Sequence, residues 1–133
     1  MEWRYIKPLK DKDAVEKFLN NEHVELSESL KSFIEIHNNG RPEKSRFKTE
    51  KTERVFKKLF SYNEEDKENI FSIYKGWLRE VLSGANLFPL GIDPAGNIIG
   101  VTANRGNIVY FNLDMETTEY IAEDWENFLA KLY

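Results

Sequence analysis

The chain has no cysteine, which rules out disulfides, thiolate metal ligands and thiol nucleophiles. Histidine is nearly as scarce. His23 and His37 are the only two, and they do not stand in the HxxxH or HExxH spacing that puts two imidazoles on one helix face. His37, at the end of a helical segment, reads as a dipole-favoured or half-buried residue in preference to a general base. His23 reads as a loop residue between two helices. No GxGxxG or GxxxxGK[ST] loop is present to cradle a phosphate, and no serine stands in a GxSxG elbow. No run approaches the eighteen apolar residues of a membrane span. Met1 to Pro8 lacks the apolar stretch of a signal peptide. These absences give the expectation of a soluble, cytoplasmic protein without cofactor or metal, not an enzyme, with export by a signal-free route as the alternative.

What the chain does contain is enough for a core. Its 133 residues are 41% hydrophobic and 14% aromatic, which suits one domain spanning residues 1–133 without staples. The net charge is only −4, but it is unevenly spread. Arg41 to Lys58 holds eight Lys/Arg against three Glu, and Phe111 to Tyr133 holds six Asp/Glu against one Lys. Two solvated faces would account for this, and so would an acidic end that steers a basic partner. The basic stretch carries no DNA- or RNA-reading motif. Overall acidity also argues against direct nucleic-acid binding.

Hydrophobic spacing predicts a short helix over 11–20, with Val15, Phe18 and Leu19 on one face. A second helix follows Ser27 as N-cap, with Leu30, Phe33 and Ile34 inward, and Asn38-Asn39-Gly40 ends it, Gly40 in the left-handed conformation. Residues 41–54 read as a polar loop. Val55 to Tyr62 alternates, with Phe56, Lys58, Phe60 and Tyr62 on one face, and predicts a strand. Asn63 would cap a helix running on to Leu82, which Gly76 weakens and where it marks either a bend or an early end, and Trp77 and Trp125 would be core.

From Leu87 the pattern changes. Strands over 87–92, 98–103, 108–113 and 119–122 are separated by turn-forming clusters, and Asp124 caps a closing helix. Pro89 points to an edge or a strand start. Strands joined by tight turns pair antiparallel. The fold class is therefore α+β, with a mainly antiparallel sheet of about four to six strands, helices packed around it, and a closing C-terminal helix. The carboxylates Asp93, Asp114, Glu116 and Glu123 fall near strand ends. They read either as a solvated acidic rim or as an acid–base or metal site.

Four segments carry a resemblance. Leu30 to Pro42, reading LKSFIEIHNNGRP, resembles the helix-to-turn segment of the SUKH superfamily. Leu87 to Asn97 (LFPLGIDPAGN), Asn107 to Glu116 (NIVYFNLDME) and Ile121 to Leu129 (IAEDWENFL) are similar to three further elements of that superfamily, in the same order. The superfamily includes fungal Smi/Knr-type regulators of glucan synthesis and bacterial immunity proteins of polymorphic toxin systems. The resemblance implies no enzymatic activity and a protein partner. That partner would be a cognate toxin, such as a basic nuclease, or in the alternative a housekeeping protein bound by a regulatory scaffold. It implies no direct contact with nucleic acid or membrane, and a monomer or weak homodimer. The expected partner-binding residues are Asp93, Asn97, Tyr110, Asn112, Asp114 and Glu116. The chain departs from the family pattern in this region: Asn112 replaces a tryptophan, Met115 a histidine and Ala95 the first of two glycines.

Overall fold

A computed structural model describes residues 1–133. Two helices come first. Helix α1 (Ala14–Glu22) buries Ala14, Val15, Phe18 and Leu19, the i, i+1, i+4, i+5 face of an amphipathic helix. It runs to Glu22, past the expected stop at Asn20, and ends where His23 turns left-handed at φ 56°. Helix α2 (Glu28–Ile36) is capped as its sequence predicts, with Ser27 Oγ accepting the Leu30 N–H at 3.2 Å. The left-handed residue after α2 is Asn39, at φ 69°, and not Gly40. Asparagine adopts that region more readily than most residues, and here its amide is held by distant partners, the Tyr5 carbonyl oxygen and Lys58 Nζ.

Residues 41–54, expected as a loop, contain three short strands. Strand β2 (Arg41–Pro42) pairs with the N-terminal β1 (Trp3–Arg4), and β3 (Arg46–Lys48) pairs with β4 (Glu53–Val55). Phe47, the middle residue of β3, is fully buried against Phe128 at 5.5 Å between ring centroids. That anchor fixes a segment whose other side chains are polar.

The strand expected over 55–62 is split, with Val55 ending β4 and only β5 (Lys58–Leu59) regular beyond it. Its aromatic face is nonetheless real, since Phe56, Lys58, Phe60 and Tyr62 are all buried. The long helix expected to follow is broken into α3 (Ile70–Ile73) and α4 (Gly76–Gly84). Asn69, not Asn63, caps α3, its Oδ1 accepting the Ser72 N–H at 2.8 Å. Gly76 opens α4 at φ +57°, a conformation that breaks helical continuity and suits glycine. The break turns Trp77 outward, so this residue, expected in the core, is 59% exposed.

The last third matches expectation. Strands β6 (Leu87–Ile92), β7 (Ile98–Thr102), β8 (Ile108–Asn112) and β9 (Thr117–Ala122) form a meander, and β5 joins it to give one antiparallel sheet ordered β5-β6-β7-β8-β9. Pro89 lies inside β6 at a bulge, beyond the stretch that β5 covers, so its missing N–H breaks no β5–β6 ladder bond. Gly91 faces β5 so closely that a Cβ there would stand 2.4 Å from the Lys58 carbonyl oxygen and 2.7 Å from the Phe56 ring. Helix α5 (Trp125–Lys131) closes the chain, with Asp124 Oδ1 accepting the Asn127 N–H at 2.8 Å. Trp125 and Phe128 are buried against Phe33, Phe47 and Phe56, while Phe18 meets Tyr62 and Phe71 in a second aromatic group. Trp3 is half-buried and edge-on to Phe33 at 5.1 Å.

Candidate functional site

The meander sends two turns to one end of the sheet. The β6–β7 turn spans 93–97 and the β8–β9 turn spans 113–116, while the β7–β8 turn lies at the opposite end. All six residues expected to bind a partner sit on these two turns or on the strand between them. Glu123, the fourth strand-end carboxylate, does not join them. It follows β9 at the far end, where its carbonyl oxygen accepts a bond from Asn107 Nδ2 at 3.0 Å.

Asp93 organises the first turn. Its Oδ1 accepts the N–H groups of Ala95 and Asn97 at 2.9 and 2.8 Å, the Asx-turn geometry that aspartate favours. Its Oδ2 accepts the Tyr110 hydroxyl at 2.7 Å. Both oxygens are thus engaged, and Asp93 is only 7% exposed. Burial, with Asp93 as hydrogen-bond acceptor, pushes the Tyr110 phenol up to about 12. Asn97 then joins the two turns, its Oδ1 accepting the Leu113 N–H at 3.0 Å. In the second turn Asn112 Oδ1 accepts the Met115 N–H at 3.0 Å, and Glu116 takes a left-handed φ of 52°.

The structure therefore divides the six residues by position. Asp93, Asn97 and Tyr110 form an internal hydrogen-bonded frame, and Asn112 fixes the second turn. Asp114 and Glu116 are exposed, with Met115 between them at 71% exposure. Pro94, Ala95 and Gly96 are exposed on the neighbouring turn. The surface formed is acidic, carries one large apolar side chain, and is held from below by side-chain-to-backbone bonds.

A second layer of the frame is not visible in local sequence. Arg54, on β4, places its guanidinium 4.3 Å from the Tyr110 ring centroid and grips Glu119 of β9 with two bonds, 2.7 and 3.3 Å. Thr49 Oγ1 adds a third bond to Glu119 at 2.7 Å. The Arg54 bonds hold the Glu119 carboxyl below the usual carboxylate range. The basic and acidic stretches thus partly neutralise each other where β4 crosses β9. The acidity that reaches solvent at this end of the sheet is that of Asp114 and Glu116. The signal for the pair was the placement of Glu119 inside a strand pattern, where an unpaired carboxylate would be costly.

Neither histidine lies in this site. His37 is stacked on Phe33 at 3.9 Å, with Nδ1 2.9 Å from the Phe33 carbonyl oxygen, and His23 ends α1. No helix is long and apolar enough to cross a membrane. No curated protein matches the chain at a significant level. Residues 10–131 match the SMI1 / KNR4 family (SUKH-1), which takes in all four segments of resemblance, α1 to α5 and both turns of the site, and the chain belongs to that family.

Proposed function

We propose that this protein is an immunity protein that binds a toxin domain through the paired turns 93–97 and 113–116. The observation that carries the reading is the Asn97–Leu113 bond, which makes two separate turns one preorganised surface. A surface fixed before binding loses little conformational entropy when a partner arrives. Met115 supplies an apolar anchor, and Asp114 and Glu116 flank it with negative charge. Such a pattern suits a basic partner, with the charges speeding and orienting encounter and the apolar contact lengthening it. A basic nuclease domain has that chemistry. Bound there, the protein would cover the toxin's working surface, and no catalytic step on the immunity protein is needed. The family also supports the second reading, a regulatory scaffold of the Smi/Knr type that binds housekeeping proteins.

The test is co-expression with the toxin gene next to this gene in the source genome. Rescue of growth, together with co-purification of the toxin domain, supports the immunity reading. A gene neighbourhood without a toxin, or a neighbouring toxin that is neither bound nor neutralised, favours the scaffold.

A further inference from the structure

A second concave surface lies along β5, between the N-terminal segment and the loop before α3. It has a volume of about 700 Å³, and its one hydrophobic lining residue is Tyr5. Three of the six non-glycine residues with positive φ line it: Tyr5 at 59°, Asn39 at 69° and Glu68 at 54°. Left-handed tyrosine and glutamate are uncommon and persist only when the surroundings impose them, a pattern that clusters at binding sites.

The surroundings that impose them are visible. Asn39 is 6% exposed and faces two ways. Its Nδ2 donates to the Tyr5 carbonyl oxygen at 2.9 Å, and its Oδ1 accepts from Lys58 Nζ. One buried amide thereby fixes both an exposed aromatic residue and a recessed ammonium group. Tyr5 is 71% exposed, and the Arg41 guanidinium lies 5.4 Å from its ring centroid. Lys58 is 3% exposed and donates a second bond to the Lys67 carbonyl oxygen at 3.1 Å. An ammonium has three donors. The nearest carboxylate oxygen to the third, on Glu68, is 3.8 Å away, beyond hydrogen-bond length.

The charges do not cancel. Lys7 pairs with Asp66, Lys57 with Glu68, and Glu65 with Lys10. Arg41 and Lys67 make no ion pair, so the groove keeps a positive excess in a chain of net charge −4. The excess is confined to a volume that fits one small ligand and not a polymer. Overall acidity further disfavours an extended polyanion.

We propose that this groove binds a nucleotide-class ligand, a phosphate monoester attached to a planar ring. Arg41, Lys58 and Lys67 take the phosphate, and Tyr5 stacks the ring. The groove shares no lining residue with the paired turns, although Tyr5, Arg41 and Lys57 also border Pro94 of the 93–97 turn, and the proposal stands without a toxin.

Calorimetric titration of the full chain with adenosine monophosphate, inorganic phosphate and adenosine tests it. The expected result is that the nucleotide binds more tightly than either fragment. Arg41→Ala and Lys67→Ala, both surface substitutions that leave the fold intact, should each weaken nucleotide binding about tenfold. Tyr5→Ala should weaken binding of the nucleotide but not of phosphate. No heat of binding with millimolar nucleotide overturns the proposal. So does adenosine binding as tightly as the nucleotide, or affinity unchanged in both Arg41→Ala and Lys67→Ala. Phosphate alone binding as tightly as the nucleotide overturns the role of Tyr5 and with it the ligand class.

Discussion

Asn97 Oδ1 and the Leu113 N–H, 3.0 Å apart, join two turns that are sixteen residues apart in the chain. Asn97 also reaches Asp93 Oδ2 through Nδ2 at 3.4 Å, so one side chain ties β7 to both turns. Asn97→Ala should lower stability by about 1–2 kcal/mol, the usual cost of leaving such groups without partners. Amide exchange at Leu113 to Glu116 should accelerate more than exchange in β7 and β8. Uniform acceleration across the sheet would show that the bond does not specifically hold the turn.

The Arg54–Glu119 pair gives a pH prediction. Glu119 is ionised in the fold below the pH at which it ionises in the unfolded chain, because Arg54 donates to it. The unfolded chain therefore binds the more protons over that interval, and stability rises with pH across it. The contribution is complete above about pH 5, past the unfolded carboxyl value, and is lost as pH falls through the depressed folded value. Glu119→Gln should cost about 2–4 kcal/mol at pH 7, since Arg54 is left half-partnered beside Tyr110. Urea denaturation at pH 7 and pH 4 should show a smaller difference between variant and parent at the lower pH.

Tyr110 acts in the opposite direction. Its phenol is pushed up to about 12 in the fold, by burial and by the bond to Asp93. The stability from keeping it neutral is fully present below the unfolded value of about 10, and is lost as pH rises from there through the folded value. Tyr110→Phe should remove this alkaline sensitivity and cost about 1–2 kcal/mol at pH 7, because Asp93 loses an acceptor bond. Difference absorbance at the tyrosinate band should show one tyrosine fewer titrating late in the variant.

The break at Gly76 turns Trp77 outward, whereas Trp125 on α5 is core. Trp125 is 3% exposed among Phe33, Phe56 and Phe128, and Trp125→Ala should cost about 3–5 kcal/mol. Trp77 is 59% exposed, and Trp77→Ala should stay within about 0.5 kcal/mol of the parent. Thermal denaturation of the Trp77 variant decides between this structure and an unbroken helix that buries Trp77, with Trp125→Ala as the buried reference.

The meander was legible because its information is local. Asp93-Pro94-Ala95-Gly96-Asn97 specifies a turn by its own chemistry, and alternation in Ile108 to Leu113 specifies a strand. The strands within 41–54 were not, since two- and three-residue strands leave no alternation to read and β2 finds its partner β1 nearly forty residues away. Helical periodicity over 70–82 did not by itself show the break, because the spacing is the same whether or not the chain turns there, and only Gly76 signalled a bend or an early end. At the candidate site the turns could be read, but the division between frame and surface could not. That division depends on Arg54 and Glu119, sixty-five residues apart. Lys58 gave one hint, a cation on an otherwise aromatic strand face, and it is the buried floor of the basic groove.

The central claim is that the paired turns contact a toxin. The most direct test identifies any toxin domain encoded beside this gene, purifies it, and measures its binding to the parent chain and to the double variant Asp114→Lys/Glu116→Lys. Both substitutions are on exposed turn residues, so circular dichroism and melting temperature should match the parent. Tight binding by the parent that weakens with added salt, and falls at least about a hundredfold in the double variant, is the predicted result. Equal affinity of parent and variant for the toxin would contradict the account.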